Sequence, residues 1–258
     1  MLPLQPAGIK EPEEGYRVKP YKIINLPETG STNDIAKEYA VIGEENLVIV
    51  ADRQTGGRGR NGRSWESQEG NLFCSILLKP KCRPEIFSLF SFVCALAVTG
   101  ALEALTGNSE LTLKWPNDVL LNGKKVCGIL LESAIRGNET EYLIIGIGVN
   151  LLHYPEETLY PVTSIFAETD KEISRDDLLD EIVKQFEVYQ SEFLGCGFAG
   201  IRNQWLQYAH NIDHTIGVNL ADESTHGIFR GIDENGNLLL EISDGSISKI
   251  ANGDVYGI

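Results

Sequence analysis

The stretch RQTGGRGRNGRSW, residues 53–65, gathers four arginines and four glycines and contains no acidic residue. Glycines let backbone amides approach an anion closely, and guanidinium groups fork onto phosphate or carboxylate oxygens. The stretch follows a buried-strand pattern, NLVIVAD (46–52), and loops at strand ends often carry ligands. These residues predict an anion-binding loop. The alternative is a solvated surface loop whose arginines balance acidic neighbours.

The segment GRGRNG (57–62) also fits the dinucleotide-binding pattern G-x-G-x-x-G, but its context differs from that fold. A helix should open at the last glycine, whereas RSWESQEG and then a strand pattern, NLFCSILLK (71–79), follow here. The acidic residue expected about 20 positions further on is replaced by Cys82. The chain also lacks the VAIK, HRD and DFG stretches of protein kinases and the Walker motif. A Rossmann or kinase fold is therefore disfavoured.

Composition restricts the class of protein further. The 258 residues carry a net charge of -15, which disfavours a protein that coats nucleic acid or anionic membranes with its whole surface. An RNA-binding use of the RGR stretch is also disfavoured, because aromatic residues are not interleaved with it. The five cysteines are odd in number and form no CxxC pair, and the four histidines lack ligand spacing. We therefore expect reduced thiols, a cytoplasmic protein and no zinc site.

Hydrophobic periodicity and turn signals predict the elements that position these residues. Residues 21–26, 46–52, 71–79, 111–116 and 140–152 read as strands, and Asn122-Gly123 predicts a hairpin. Ser31 or Thr32 would cap a first helix, and a second helix over 174–195 begins at Ser174 and ends at Gly195. The apolar run 86–105 is predicted to be a buried core helix, since Ser, Thr and Gly interrupt it and a membrane span needs about 20 predominantly apolar residues.

Five stretches, in this order and spacing, resemble one family. GSTND, ADRQTGGRGRNGRSW, LKWPND, KKVCGILLE and IGIGVN are similar to the catalytic region of the biotin protein ligases. The resemblance implies an α+β fold, a mixed sheet with flanking helices like that of class II aminoacyl-tRNA synthetases, followed by a small SH3-like β-barrel. From residue 212 onwards, short strand patterns are separated by turn signals, which is typical of such a module. We expect a tail over 1–20, a catalytic domain over 21–211 and the barrel over 212–258.

The resemblance also implies a reaction. Members of the family join the biotin carboxylate to the α-phosphate of ATP, which arrives with Mg²⁺, and form biotinyl-5′-AMP and pyrophosphate. A lysine of a biotin carboxyl carrier domain then takes the acyl group and releases AMP. Bringing a carboxylate to a triphosphate requires cations that neutralise their repulsion.

Site residues follow from the same resemblance. Those expected to bind biotin are Ser31, Thr32, Asn33, Gln54, Gly57, Arg58, Gly59, Arg60, Lys125 and Gly128. Those expected to bind ATP are Arg58, Arg60, Trp65, Lys125 and Asn150. The ureido ring of biotin is neutral, with two N–H donors and a carbonyl acceptor, so hydroxyl and amide side chains suit it.

Four residues are expected to take part in catalysis: Arg60, Lys114, Asp118 and Lys125. Arg60 and Lys125 are assigned to the carboxylate and the phosphates. Lys114 and Asp118 are candidates for the second step, in which the attacking lysine must lose its proton and a carboxylate could accept or orient it. Cys127 stands where small residues such as alanine are usual in the family, and it is either a harmless small hydrophobe or a crowding element in the biotin pocket.

The resemblance sets expectations about partners. About 20 residues precede the catalytic pattern, whereas bifunctional members carry an N-terminal DNA-binding domain, so we expect a monofunctional ligase that binds no operator DNA and no membrane. Members of the family are often dimers, which makes a homodimer a further expectation, although the sequence shows no interface. A lipoate ligase with the same acyl-adenylate chemistry and a sensor that binds biotin or nucleotide without turnover are the alternative functions.

Overall fold

The computed structural model describes residues 20–257 except 81–82, 109, 138, 159 and 221–222. Of the tail expected over residues 1–20, only the last position is described. Cys82 also lies outside the described residues.

Seven strands form a mixed sheet in the order β1-β2-β3-β7-β6-β5-β4. Only the pair β1–β2 is parallel, and the other neighbours are antiparallel. The strands are β1 (Lys22–Thr29), β2 (Leu47–Gln54), β3 (Leu72–Leu78), β4 (Leu111–Lys114), β5 (Asp118–Leu121), β6 (Lys124–Arg136) and β7 (Glu139–Val149). The predicted hairpin joins β5 to β6 through Asn122 and Gly123, both of which have a positive φ. The strand predicted over 111–116 ends two residues earlier.

Helices cover both faces of this sheet. They are α1 (Thr32–Val41), α2 (Phe90–Thr106), α3 (Ile165–Thr169), α4 (Arg175–Cys196) and α5 (Phe198–Gln207), with a 3-10 turn over Pro84–Leu89 before α2. The predicted caps Ser31 and Ser174 occupy the N-cap positions of α1 and α4. Helix α4 ends one residue later than predicted, because Gly197, with a φ of 82°, is its C-cap instead of Gly195. Helix α5 was not predicted, since its ten residues show no strong cap.

The apolar segment predicted as a core helix lies inside the protein. The helical segment Pro84–Thr106 is long and apolar enough to cross a membrane, with a mean hydropathy of 1.9, but 78% of its apolar 18-residue stretch is buried. Helix α2 packs between the sheet and α4, where Phe90 and Phe193 meet edge to face at 5.1 Å. The prediction of a buried core helix is confirmed.

Strand alternation assigns each sheet residue to one of two faces. In β3, Cys74 and Ile76 belong to the large cluster under α2 and α4, whereas Leu77 packs with α1. In β7, Ile145, Ile147 and Val149 likewise face the helices. Because successive side chains point to opposite faces, Ser75 of β3 and the two glycines of β7 face the side on which α1 begins.

The C-terminal residues form a second, five-stranded antiparallel sheet. Its strands are β8 (Thr215–Asn219), β9 (Ser224–Ile232), β10 (Leu238–Glu241), β11 (Ile247–Ile250) and β12 (Asp254–Gly257), in the order β11-β10-β9-β8-β12. Within the described strands, no pairing joins β11 to β12, so hydrogen bonds do not close the expected barrel. Its apolar side shares one buried cluster with the larger sheet, and Trp115 Nε1 donates to Gly236 O at 2.9 Å between the two. The division at residues 211 and 212 stays a prediction.

Candidate active site

A cavity of about 1140 Å³ lies where the seven-stranded sheet, the N-terminus of α1 and the C-terminal sheet meet. It brings together most of the site residues predicted from the sequence: Ser31, Thr32, Asn33, Gln54, Arg58, Gly59, Arg60, Trp65, Lys114, Asp118, Lys125, Gly128 and Asn150. Gly57 does not line it. Gly57 is buried behind the wall, where a Cβ would lie 2.5 Å from Trp65 O and 2.6 Å from Ser67 Oγ.

One corner of the cavity is polar and neutral. Gln54 Oε1 accepts from Thr32 N–H at 2.8 Å, and Gln54 Nε2 donates to Ser67 Oγ at 3.0 Å, so the amide is fixed at both ends. Ser75 Oγ lies 2.7 Å from Thr32 Oγ1 and 2.6 Å from Asn33 Oδ1. Ser31 stands at the N-cap of α1, but its hydroxyl makes no capping hydrogen bond. The corner therefore offers hydroxyl and amide groups whose orientations are already set.

Two buried donors in this wall have no acceptor among the described residues: Asn33 Nδ2 and Trp65 Nε1. A buried donor without an acceptor costs about 1–3 kcal/mol, which a bound ligand with a carbonyl or other acceptor would relieve. These two donors therefore suit a ligand that offers an acceptor oxygen, such as the carbonyl group of a ureido ring.

Three glycines on one face of the sheet form the floor of the cavity. A Cβ on Gly148 would lie 2.5 Å from Trp65 Nε1, and a Cβ on Gly128 would lie 2.9 Å from Trp65 Cζ3. A Cβ on Gly146 would lie 2.5 Å from Asn33 Oδ1. The indole and the Asn33 amide thus lie directly on the backbone of β6 and β7, which only glycine permits.

The arginine-rich stretch is a short hairpin rather than an open loop. Trp65 N–H donates to Gly57 O at 2.9 Å, and Gly59 N–H donates to Arg63 O at 2.7 Å. Its tip turns at Asn61 and Gly62, whose φ values are 56° and 73°. Glycine and asparagine are the residues that adopt this left-handed region readily, which explains the sequence at the tip.

Arg58 lies on the α1 side of this hairpin. Its two Nη atoms donate to the carboxylate of Asp34 at 2.8 and 2.6 Å, and Nη2 also lies 3.4 Å from Glu132 Oε1. This two-pronged bond raises the pKa of Arg58 and lowers that of Asp34. Asp34 belongs to the first turn of α1, where the helix dipole also favours a carboxylate.

Arg60 lies on the opposite side and reaches the C-terminal sheet. Its Nη2 donates to Asn252 Oδ1 at 2.6 Å and to Gly253 O at 3.2 Å, and its Nη1 donates to Asn117 Oδ1 at 3.2 Å. The carboxylate of Asp254 is further away, at 3.8 Å. Burial lowers the pKa of Arg60, whose side chain is only 17% exposed. Neutral carbonyl groups therefore orient this guanidinium while leaving most of its charge available to an anion.

Two lysines and a carboxylate complete the charged end. Lys114 and Asp118 are paired across the β4–β5 hairpin, whose turn is held by Asn117 Nδ2 donating to Ile129 O at 2.6 Å. Lys125 Nζ lies 2.6 Å from Asp118 Oδ1, an ion pair without hydrogen-bond alignment. Burial lowers the pKa of Lys114.

The lysines also have aromatic neighbours. Lys114 Nζ lies 4.5 Å from the centre of the Tyr160 ring, and Lys125 Nζ lies 5.3 Å from that of Trp65. Such contacts between a cation and a ring face hold an ammonium group in place without neutralising it.

Several residues of the site were not assigned from the sequence. The glycines of GIG (146–148) alternate in a strand, and this is a recognisable sign of close backbone approach. Ser75 is the polar residue in an otherwise apolar strand, LFCSILL, which is a second signal. Asn252-Gly253 indicates only a turn in the sequence, and Tyr160 indicates nothing, because both reach the site only through tertiary packing.

Cys127 faces the helices, is fully buried and does not line the cavity, so it is a core residue, and burial raises the pKa of its thiol. Asn150 is also buried, and its Nδ2 donates to Thr163 O at 3.1 Å.

Across the described ranges, no cluster of three or more His, Cys, Asp or Glu residues could hold a metal ion.

The comparisons with known proteins agree with this geometry. Residues 26–150 match the Biotin/lipoate A/B protein ligase family, and residues 215–256 match the Biotin protein ligase C terminal domain. The chain is 38% identical over 221 residues to the biotin--[acetyl-CoA-carboxylase] ligase of Paracoccus denitrificans, which covers 83% of this chain and 92% of that protein. It is 35% identical over 216 residues to the bifunctional ligase/repressor BirA of Bacillus subtilis, with 82% and 66% covered.

A solved structure agrees as well. The biotin protein ligase from Aquifex aeolicus in complex with biotin and ATP superposes with a TM-score of 0.80 and 33% identity, over 91% of this chain and 97% of that one. These matches confirm the predicted fold class, a mixed sheet with flanking helices and an SH3-like C-terminal module. A relative with 38% identity over most of both chains, together with this fold, shows that the chain is an enzyme of the biotin protein ligase family.

Proposed function

We propose that this chain activates biotin with ATP and transfers it to a lysine of a biotin carboxyl carrier domain. In the first step a carboxylate oxygen of biotin attacks the α-phosphorus of ATP, and the bond to pyrophosphate breaks. In the second step the neutral amine of the acceptor lysine attacks the acyl carbon, an amide forms, and AMP and a proton leave. Mg²⁺ enters as the metal complex of ATP.

The observation that carries this proposal is the division of one cavity into two chemically different ends. The neutral corner around Asn33 suits the ureido ring, whereas cations converge on the other end, where a carboxylate must approach a triphosphate. Arg60 and Lys125 would neutralise that repulsion. Carbonyl groups orient Arg60, and Lys125, which is paired with the carboxylate of Asp118, would contact the ligand as well. Trp65 would lie beside the biotin tail, on the glycine floor.

Arg58, the hairpin glycines, Asn150 and Asp118 would have the following roles. Arg58 would leave Asp34 to contact the ligand carboxylate or phosphate, and the backbone of Gly57 and Gly59 would shape the hairpin that carries it. Asn150 would contact the adenine side of the cavity that it lines. Asp118 would accept or orient the proton that the acceptor lysine loses, because it is the carboxylate paired with Lys125.

Pyrophosphate release by the purified chain tests the proposed reaction. With ATP present, we expect pyrophosphate to be released when biotin is added and not to be released with lipoate or with buffer alone. Release with lipoate instead would make the chain a lipoate ligase, and no release would make it a binding protein. Transfer of labelled biotin to a carboxyl carrier domain, lost when its acceptor lysine is replaced by arginine, tests the second step.

Asp118→Asn separates the two steps. The variant should still form biotinyl-AMP but should transfer it to the carrier domain at least tenfold more slowly, since it lacks a proton acceptor. Single-turnover transfer from preformed biotinyl-AMP measures this rate. Normal transfer combined with slow adenylation would contradict the role of Asp118 in the second step.

We also propose a cytoplasmic location and no binding of operator DNA. The described cysteines are free thiols, of which Cys74, Cys94 and Cys127 are buried, as in a reducing compartment. A net charge of -15 opposes the phosphate contacts that DNA binding needs. A gel-shift titration with biotin-operon operator DNA tests the second point, and the expected homodimer is tested by sedimentation with and without biotinyl-AMP.

A further inference from the structure

Glu168 is a half-buried carboxylate that lies outside the cavity and that the reaction does not use directly. It belongs to the short helix α3, and its side chain is 12% exposed. It accepts hydrogen bonds from three side chains: Lys124 Nζ at 2.9 Å, Thr163 Oγ1 at 2.8 Å and Asn122 Nδ2 at 2.8 Å. Asn122 lies in the β5–β6 turn, Lys124 begins β6 directly after it, and Thr163 belongs to the segment that precedes α3.

That segment, residues 160–163, is here called the strap. The strap lies alongside β6 as a short parallel bridge at Lys125. Lys125 N–H donates to Pro161 O at 2.9 Å, and Thr163 N–H donates to Lys125 O at 3.0 Å. Both backbone polar groups of Lys125 are therefore bonded to the strap, which fixes the point from which its side chain enters the cavity.

The strap also reaches the second cavity lysine. The Tyr160 ring, at the start of the strap, has its centre 4.5 Å from Lys114 Nζ. A displacement of the strap would therefore move the surroundings of Lys114 and Lys125 together. These are the two ammonium groups that face the charged end of the cavity.

Glu168 is suited to hold the strap at every physiological pH. The hydrogen bonds from Asn122, Lys124 and Thr163 lower the pKa of its carboxyl to about 2, so its oxygens remain ionised acceptors. Hydrogen bonds to an ionised acceptor are stronger than neutral ones.

We propose that Glu168 is a positioning residue that fixes Lys125 for adenylation, and the surroundings of Lys114 with it, by anchoring the strap to the β5–β6 turn. This inference rests on the proposed function for its catalytic consequence. Its structural part, that the Glu168 carboxylate holds the strap against β6, concerns the protein alone.

Three variants test the inference. Glu168→Ala removes all three acceptor bonds, whereas Glu168→Gln keeps a carbonyl for Thr163 and Lys124, and rotation of the Asn122 amide can satisfy its new donor. The matched control is Glu181→Ala, since Glu181 likewise accepts from a lysine and an amide, Lys184 and Gln185, but on α4 away from the cavity.

Hydrogen exchange read by mass spectrometry measures the anchor without any substrate. In Glu168→Ala, the amides of Lys125 and Thr163 should lose at least tenfold in protection, while those of β3 should not change. Glu168→Gln should retain most of the protection, and Glu181→Ala should match the unsubstituted chain. Unchanged protection at both amides in Glu168→Ala would overturn the inference.

Biotin-dependent exchange of pyrophosphate into ATP measures the catalytic consequence. With active sites titrated, Glu168→Ala should lose about tenfold or more in kcat, because small misplacements of catalytic groups are costly. Glu168→Gln should recover to within about threefold. A residue with a merely structural role would lower the active fraction and the Tm but leave kcat per active site unchanged, and that result would overturn the inference.

Two outcomes need separate treatment. If Glu168→Ala yields no folded protein, Thr163→Val takes its place, because it removes only the strap's own bond to the carboxylate, and the same loss of protection at Lys125 is required. If the unsubstituted chain shows no biotin-dependent exchange, the proposed function fails and the catalytic part of the inference fails with it. The hydrogen-exchange result then still decides whether Glu168 anchors the strap.

Discussion

Replacing Gly148 by alanine should damage the site by displacing Trp65. A Cβ at this position would lie 2.5 Å from Trp65 Nε1 and 2.6 Å from Cε2, whereas unstrained contacts are about 3.5 Å or longer. The indole is one rigid ring system, so it cannot fold aside as a flexible chain end would, and its backbone is held by the hydrogen bond from Trp65 N–H to Gly57 O. The ring must therefore move outwards by about 1 Å.

The size of the effect follows from this displacement. Overpacking of a well-packed site costs typically about 1–3 kcal/mol, and each 1.4 kcal/mol is about tenfold in rate or affinity. We expect kcat/KM for biotin in pyrophosphate exchange to fall about 10- to 100-fold. Gly128→Ala should press less on the ring, since its Cβ would lie 2.9 Å from Trp65 Cζ3, but this Cβ would also lie 3.3 Å from Lys125 Cε and Nζ.

A matched glycine controls for the substitution itself. Gly195 lies near the end of α4, and a Cβ there would meet nothing within 4 Å. Gly195→Ala should leave pyrophosphate exchange unchanged and should raise stability slightly, since alanine is favoured over glycine in a helix by about 1 kcal/mol. Thermal unfolding of both variants separates lost stability from lost activity.

A double-mutant cycle isolates the cause. Trp65→Leu alone will lower activity, but Gly148→Ala added to it should cost less than about twofold, because the clashing ring is gone. If Gly148→Ala costs its full factor in the Trp65→Leu background, or costs nothing in the unsubstituted chain, the assignment of the glycine floor to Trp65 is wrong.

Two further predictions concern the anchors around the site. Asn252→Ala removes the acceptor 2.6 Å from Arg60 Nη2, so pyrophosphate exchange should slow about three- to tenfold, whereas Ser246→Ala in the preceding turn should have no effect; equal rates for both variants would contradict the role of Asn252. Glu168 should make stability fall in acid: its pKa is lowered from 4.5 to about 2, so its contribution is complete above pH 4.5 and is lost as the pH falls towards 2. The Tm of the unsubstituted chain should therefore fall more steeply across that window than the Tm of Glu168→Gln, and parallel curves would refute this.

The fold was largely predictable because its elements are locally consistent. Continuous apolar runs specified β2 and β3, the Asn122-Gly123 turn specified the β5–β6 hairpin, and the Ser174 cap specified the start of α4. The misses lie where a boundary depends on the next residue or on packing. Helix α4 continues to Cys196 because Gly197, and not Gly195, takes the positive φ at which the helix ends.

The residues of the site fall into the same two groups: those in local sequence motifs and those brought in by tertiary packing. The hairpin, the KWPND turn and the polar N-terminus of α1 are local motifs, so residue types and spacing alone identify them. The Asn252–Asp254 turn is about 190 residues from Arg60 in sequence and carries no motif. Its contribution depends on the packing of the C-terminal sheet against the larger one, through contacts such as Trp115 to Gly236.

The two sides of the arginine hairpin are held by different kinds of partner. The carboxylate of Asp34 binds Arg58, whereas carbonyl oxygens from turns of both sheets orient Arg60. A carboxylate competes with an anionic ligand for its arginine, while neutral carbonyls leave the charge in place. Arg60 is therefore ready for an anion before the ligand arrives, and Arg58 must exchange one carboxylate for another. The C-terminal sheet supplies two of the three carbonyl groups that establish this difference.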